Sequence, residues 1–145
     1  MSPHLFHLRV YWEDTDAGGL VYHANYLKFA ERARTEMLRA AGIEQDRLRE
    51  ETGLMFVVRR LMAEFLGPAR LDDALTVVTR LERLGGASLD LDQEVCRDHR
   101  TLVRLDLKIA CISRDGRPSR LPSAIKSAFA TPRDHLLGQI HYAGF

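Results

Sequence analysis

The chain is short of cysteine, of net charge and of long apolar runs. Its two cysteines, Cys96 and Cys111, are too few and too far apart for a disulfide scaffold or a paired-cysteine metal site. Each lies in an apolar, strand-like run and reads as a buried free thiol, in keeping with a reducing cytoplasm. Lys and Arg number 21 against 20 Asp and Glu, for a net charge of +1. So even a balance argues against nucleic acid as the main partner, since phosphate binding normally leaves a basic excess. Charges interrupt every apolar stretch well before the ~18 residues of a membrane span. Met1 to Asp14 carries no basic start followed by an apolar run, so a secretory signal is not expected. His4, His7, His99, His135 and His141 show no metal-ligand spacing, and no metal is expected. There is no repeat, low-complexity tract or flexible linker. What is present is ordinary globular material, 46% hydrophobic and 28% charged over 145 residues. This predicts a single domain over 1–145, with a core at about 5–129 and a C-terminal tail at 130–145.

Leu5 to Trp12 is rich in β-branched and aromatic residues and predicts a strand. Asp14-Thr15-Asp16-Ala17-Gly18-Gly19 breaks it as a turn. From Asn25 to Ala41 the period becomes helical. Tyr26, Phe29, Ala30, Ala33, Met37, Ala40 and Ala41 recur at steps of three and four. Asn25 is a candidate N-cap and Gly42 a C-terminal stop. A short polar helix is predicted at Glu44 to Glu51. Four strand-like runs follow: Leu54 to Leu66, Ala74 to Leu84, Ser88 to Arg97 and Thr101 to Ser113. The breaks at Gly85-Gly86 and Asp98-His99-Arg100 are short enough for antiparallel hairpins. Ser88, Asp90, Asp92 and Glu94 form one polar face, which Arg104 and Lys108 can meet across the pair. Pro122 opens a last short helix through Phe129. A helix with this much apolar surface needs a sheet to cover it. The expected fold class is α+β: a curved five-stranded antiparallel sheet wrapped around one long central helix. Its outer strands leave edges, which pairing with a second copy would protect. A homo-oligomer is therefore expected.

The chemistry concentrates where the first strand ends and the long helix begins. Asp16 sits in a turn among small residues that a ligand can approach. His23 lies at the helix start, where unpaired backbone N–H groups can stabilise developing negative charge. Carboxylate, histidine and helix N-terminus together are the parts a candidate acyl-transfer site needs. Taken alone, Asp16 is a turn residue and His23 a surface histidine. Glu13 and Asp14 read as solvated or capping groups.

The string Asp16-x-x-Gly-x-Val-Tyr-His-x-x-Tyr26 resembles the signature of the 4-hydroxybenzoyl-CoA thioesterase family. The longer run Glu13 to Tyr26, with Glu31-Arg-Ala-Arg-Thr-Glu-Met-Leu38, is most similar to the bacterial Tol-Pal-associated acyl-CoA thioesterases. Phe56-Val-Val-Arg59, Pro68-Ala-Arg-Leu-Asp-Asp73 and Arg120-Leu-Pro122 match the same branch, so the resemblance runs from about Leu8 to Phe129. It implies the hotdog fold and hydrolysis of acyl-CoA to a carboxylic acid and free CoA. No metal or redox cofactor is implied; coenzyme A is part of the substrate. Asp16 matches the essential carboxylate, which either activates water or attacks the thioester carbonyl directly. The His23 N–H matches the donor to the thioester oxygen, and its imidazole a catalytic side chain. Tyr22, Asn25 and Tyr26 would shape the site. Trp12 stands where many members of this branch have a second tyrosine, so a hydroxyl is lost there. Arg59, Arg60, Arg120 and Lys126 flank the matching blocks and are candidates for the phosphates of CoA. An acyl chain would lie beside the central helix near Tyr26, Phe29 and Met55. The resemblance also allows an acyl carrier protein as partner. Two competing readings are a hotdog enoyl-thioester hydratase or dehydratase, and a non-catalytic acyl or carrier-protein binding module. The tail Thr131 to Phe145 matches nothing assignable.

Overall fold

The computed structural model describes residues 2–130. The tail named above, together with His135 and His141, lies outside the described residues. Strand β1 spans His4–Arg9, followed by a single 3-10 turn at Trp12–Asp14. Helix α1 spans Asn25–Ala40 and α2 Gln45–Thr52. Strands β2 (Met55–Phe65), β3 (Ala74–Leu84), β4 (Ser88–Arg97) and β5 (Arg100–Ile112) precede helix α3 (Ser123–Ala130). The five strands form one sheet in the order β1-β3-β4-β5-β2, every pair antiparallel. Helix α1 packs against β1, β3 and β4. This is the architecture expected above. The edges are β1 and β2.

Strands β4 and β5 alternate along most of their length, whereas β3, buried on both faces from Leu75 to Thr79, does not. On β4, Leu89, Leu91, Gln93 and Val95 are buried, and on β5, Val103, Leu105, Leu107, Ile109 and Cys111. That alternation buries one face and leaves the other to charges. Lys108 pairs with Asp90 at 3.2 Å, and Arg104 with Glu94 at 3.5 Å, as the register predicts. Arg59 and Arg60 are both exposed, although neighbours on a strand should face opposite ways. A bulge between Val58 and Arg60 permits it. The thiol of Cys111 is buried as expected, but Cys96 is only half-buried.

Three boundaries differ from the pattern. Strand β1 stops at Arg9, because the Tyr11 N–H turns to the Asp14 carboxylate (Oδ2, 2.8 Å) and winds residues 12–14 into the 3-10 turn. The β4–β5 hairpin has a tighter turn, Asp98-His99, with Asp98 at φ +53° and Arg100 already paired with Arg97. On α1, Leu38 rather than Ala40 faces inward. The helix closes there, and Gly42 at φ +83° sends Ile43 into the core.

Among the described residues Gln93 is the one side-chain amide with no exposure, and it sits at the helix–sheet junction. Its Nε2 donates to Ala30 O on α1 (3.0 Å) and to Thr79 Oγ1 on β3 (2.9 Å). Its Oε1 accepts from Arg34 Nη1 at 3.0 Å. Gln93→Leu fits the space but strips partners from Thr79 and Arg34. It should lower unfolding stability by about 1–3 kcal/mol in urea titration, the cost of buried polar groups left unmade.

His4 on β1 gives the fold a pH dependence. Burial pulls its pKa below the ordinary 6.5, with Glu36 opposing. The unfolded chain therefore binds more protons than the folded one in that range, and stability falls as pH drops below about 6.5. His4→Gln should flatten the loss in denaturation midpoints measured between neutral and mildly acidic pH.

Candidate active site

Residues 14–22 form a small hairpin that leads into α1. Thr15 bridges Val21, Asp16 N donates to Leu20 O (2.9 Å), and Tyr22 N donates to Asp14 O (3.0 Å). At its tip Gly19 N closes on Asp16 O at 3.0 Å, with Gly19 at φ +78°, a conformation glycine adopts without strain. Asp16 is exposed. Its Oδ1 accepts from Gly18 N–H at 2.8 Å, which orients the carboxylate. Among the described residues Oδ2 has no partner.

The helix start is left open. Ala24, not Asn25, occupies the cap position, and no side chain caps the helix. The Asn25 side chain turns the other way, and its Nδ2 donates to Asp14 O at 2.8 Å. Among the described residues no acceptor meets the His23 N–H. Free amides at this end of a 16-residue helix carry the positive end of its dipole. The His23 imidazole is exposed, tilted 57° against Tyr22 at 4.6 Å and edge-on to Phe65 at 6.1 Å.

The predicted residues divide by placement. Asp16, Tyr22 and His23 stand exposed on one hairpin-to-helix connection. Asn25 and Tyr26 are buried beneath them. The Tyr26 hydroxyl accepts from Ala69 N–H at 2.9 Å, and its desolvated position pushes its pKa up. It holds the segment after β2 against α1 and forms the floor of the site. Trp12 is 79% exposed and lines a shallow cavity of about 340 Å³ with Tyr11, Glu13, Leu71 and Asp72. Its indole has no hydrogen bond among the described residues.

The cations candidate for CoA are not gathered by one chain. Arg60 lies about 16 Å along β2 from Phe65, and Arg59 lies one residue further. Arg120 follows the Ile112–Pro118 bridge at the opposite end of the sheet from Phe65, which pairs with Val103. Lys126 is exposed on α3. Two residues nearer the site were missed. Phe65 packs on both His23 and Tyr26 (5.9 Å). Arg70 bridges Leu20 of the hairpin and is exposed. The signal for Arg70 was the block 68–73, and for Phe65 there was none, since only the tertiary pairing brings it in. The expected apolar space beside α1 exists, but Phe29 is sealed in the core, and Met55 lies by α2. Among the described residues no three His, Cys, Asp or Glu side chains gather into a metal-binding group. No helix among them is long and apolar enough to cross a membrane.

Comparison with known proteins agrees with this geometry. The model of the thioesterase superfamily matches residues 18–104. An acyl-CoA thioesterase YbgC of Haemophilus influenzae is 44% identical over 125 residues, covering 86% of this chain and 92% of that relative. An acyl-CoA thioester hydrolase YbgC of Escherichia coli is 43% identical over 124 residues, covering 84% and 92%. The crystal structure of a probable thioesterase from Bartonella henselae superposes with a TM-score of 0.80 at 43% identity, over 83% of this chain and all of that one. Matched by the family model over residues 18–104 and by these relatives over more than four-fifths of its length, the chain belongs to the thioesterase superfamily.

Proposed function

We propose that the protein hydrolyses acyl-CoA thioesters to a carboxylic acid and free CoA. The observation that carries this is that Asp16 and the open His23 N–H stand on one hydrogen-bonded hairpin-to-helix connection. The relatives named as acyl-CoA thioesterases, alike over more than four-fifths of the chain, support the substrate class.

The thioester oxygen accepts from the His23 N–H at the positive end of α1, where charge develops as the carbonyl is attacked. Asp16 supplies the base or the nucleophile. As base, it takes a proton from water as the water oxygen bonds to the carbonyl carbon. As nucleophile, its oxygen forms a mixed anhydride that water then cleaves. In either route the carbon–sulfur bond breaks and CoA leaves as the thiol. The His23 imidazole, free of hydrogen bonds among the described residues, orients water or passes the proton to sulfur. Tyr22 and Phe65 hold the imidazole between them. A single turnover in ¹⁸O-water that labels the Asp16 carboxylate identifies the nucleophile, with water cleaving the anhydride at the aspartyl carbon. A base leaves Asp16 unlabelled, and so does a nucleophile whose anhydride is cleaved at the acyl carbon, which trapping the anhydride with hydroxylamine then reveals.

We further infer a homo-oligomer. Strand β2 is an 11-residue edge whose Met55, Val58, Met62 and Phe65 are exposed, and an unpaired apolar edge is protected by a second copy. Such pairing would also bring a second set of arginines toward each site. The free thiols Cys96 and Cys111 support a cytoplasmic setting. An acyl carrier protein in place of CoA remains compatible with the same chemistry.

Asp16→Asn should lower thiol release from acyl-CoA at least about 100-fold, the usual share of a positioned base. His23→Ala keeps the backbone N–H and should lose less. Full activity in Asp16→Asn would overturn the assignment. Met62→Lys, placed on the β2 edge, should shift the mass measured by light scattering toward the monomer.

A further inference from the structure

A groove of about 480 Å³ runs along α1 between that helix and β2. Strand β2 runs back along the helix: Phe65 at its end meets His23 and Tyr26, while Phe56 near its start faces the groove with Leu38. The groove therefore begins one helical turn from the site and leads away from it. Leu27, Phe56, Leu61 and Leu91 make its walls apolar.

Arg34 breaks that character. It lines the groove, half-buried, and its one hydrogen bond among the described residues goes to Gln93 Oε1. No carboxylate there comes within ion-pair distance of it. A guanidinium has five N–H donors in a planar fork that matches a carboxylate. Lys28 and Glu31 also line the groove, nearer its mouth and both exposed. Thr35 and Gln45 add neutral polar groups around Arg34. Withdrawing a cation from water is costly unless an anion meets it. Most of the remaining wall is apolar, and its one carboxylate, Glu31, acts on Arg34 only from beyond ion-pair distance.

We propose that the groove takes the acyl group of the substrate and that Arg34 recognises a carboxylate at its far end, making CoA thioesters of medium-length α,ω-dicarboxylic acids the preferred substrates. This rests on the thioesterase reading above. The helix sets the length. His23 to Arg34 is about 16 Å along the axis, at ~1.5 Å per residue. The arginine side chain leans back toward the helix N-terminus and shortens that span. A succinyl group is too short to reach across it.

The test compares native turnover of suberyl-CoA and octanoyl-CoA, which match in length and differ only at the far end. Thiol release from octanoyl-CoA reports on the thioesterase reading; the ratio of kcat/KM reports on the inference. Suberyl-CoA should be favoured at least about 10-fold, as a charge-assisted hydrogen bond allows. Arg34→Gln should remove that preference through KM, since the distal contact is the same in ground and transition states. It should leave octanoyl-CoA turnover within about threefold. Equal native rates, a preference for octanoyl-CoA, or equal loss of both in Arg34→Gln would overturn the proposal. So would an equal gain from an ω-hydroxyoctanoyl ester, which carries no charge. Should Arg34→Gln fail to fold, the native ratio decides alone. Should neither ester turn over, calorimetric binding decides: tighter suberyl-CoA supports the proposal and equal affinity overturns it.

Discussion

The Asp14 carbonyl joins the two halves of the site. It accepts from Tyr22 N–H and from Asn25 Nδ2, so a single oxygen ties the hairpin carrying Asp16 to the first residue of α1. The Asp14 carboxylate, 7% exposed, binds Tyr11 N–H and fixes the chain entering from β1. Three segments meet at this residue, and the spacing of Asp16 from the His23 N–H follows from them. Asp14 read in the sequence as a solvated or capping group, and the second reading holds: it caps the 3-10 turn that ends β1.

The same economy explains the uncapped helix. An asparagine at a helix start would ordinarily turn back on the free amides. Here Asn25 is committed to Asp14, and among the described residues the His23 amide keeps no acceptor, as the proposed oxyanion role requires. Stability lost at the cap is offset by burial. Phe29, Ala30 and Ala33 are wholly inaccessible against the sheet, and Tyr26 ties Ala69 at the site's floor. Gln93 then links helix, β3 and Arg34 within the core. The sheet is thus more than a cover. It sets the rotation of α1 about its axis, and so decides which helix residues face the groove.

Much of this was legible in the residues. Period-two alternation along Val103 to Cys111 and period-three-to-four recurrence from Tyr26 to Met37 report local burial, and both elements stand where that burial requires. The acid–base pairs across β4 and β5 follow from register alone. Asp16 and His23 were visible because one continuous segment carries both. Long-range placement was not legible. Phe65 reaches His23 only because β2 crosses the sheet's far edge and returns along α1. Arg59 and Arg120 flank family-matching blocks, yet the fold of one chain sets them apart from the site. Asn25 had the right residue type for a cap, and a partner eleven residues back in sequence claimed it.

If the Asp14 link between hairpin and helix positions the proposed catalytic groups, steady-state kinetics of Asn25→Ala will register its loss, because the change removes one hydrogen bond and touches neither Asp16 nor the His23 amide. With the fold verified by circular dichroism, kcat should fall about 10–100-fold, as misplacement of a catalytic group does, while KM for acyl-CoA holds within about twofold. A native kcat in folded Asn25→Ala would show that the link does not position the catalytic groups.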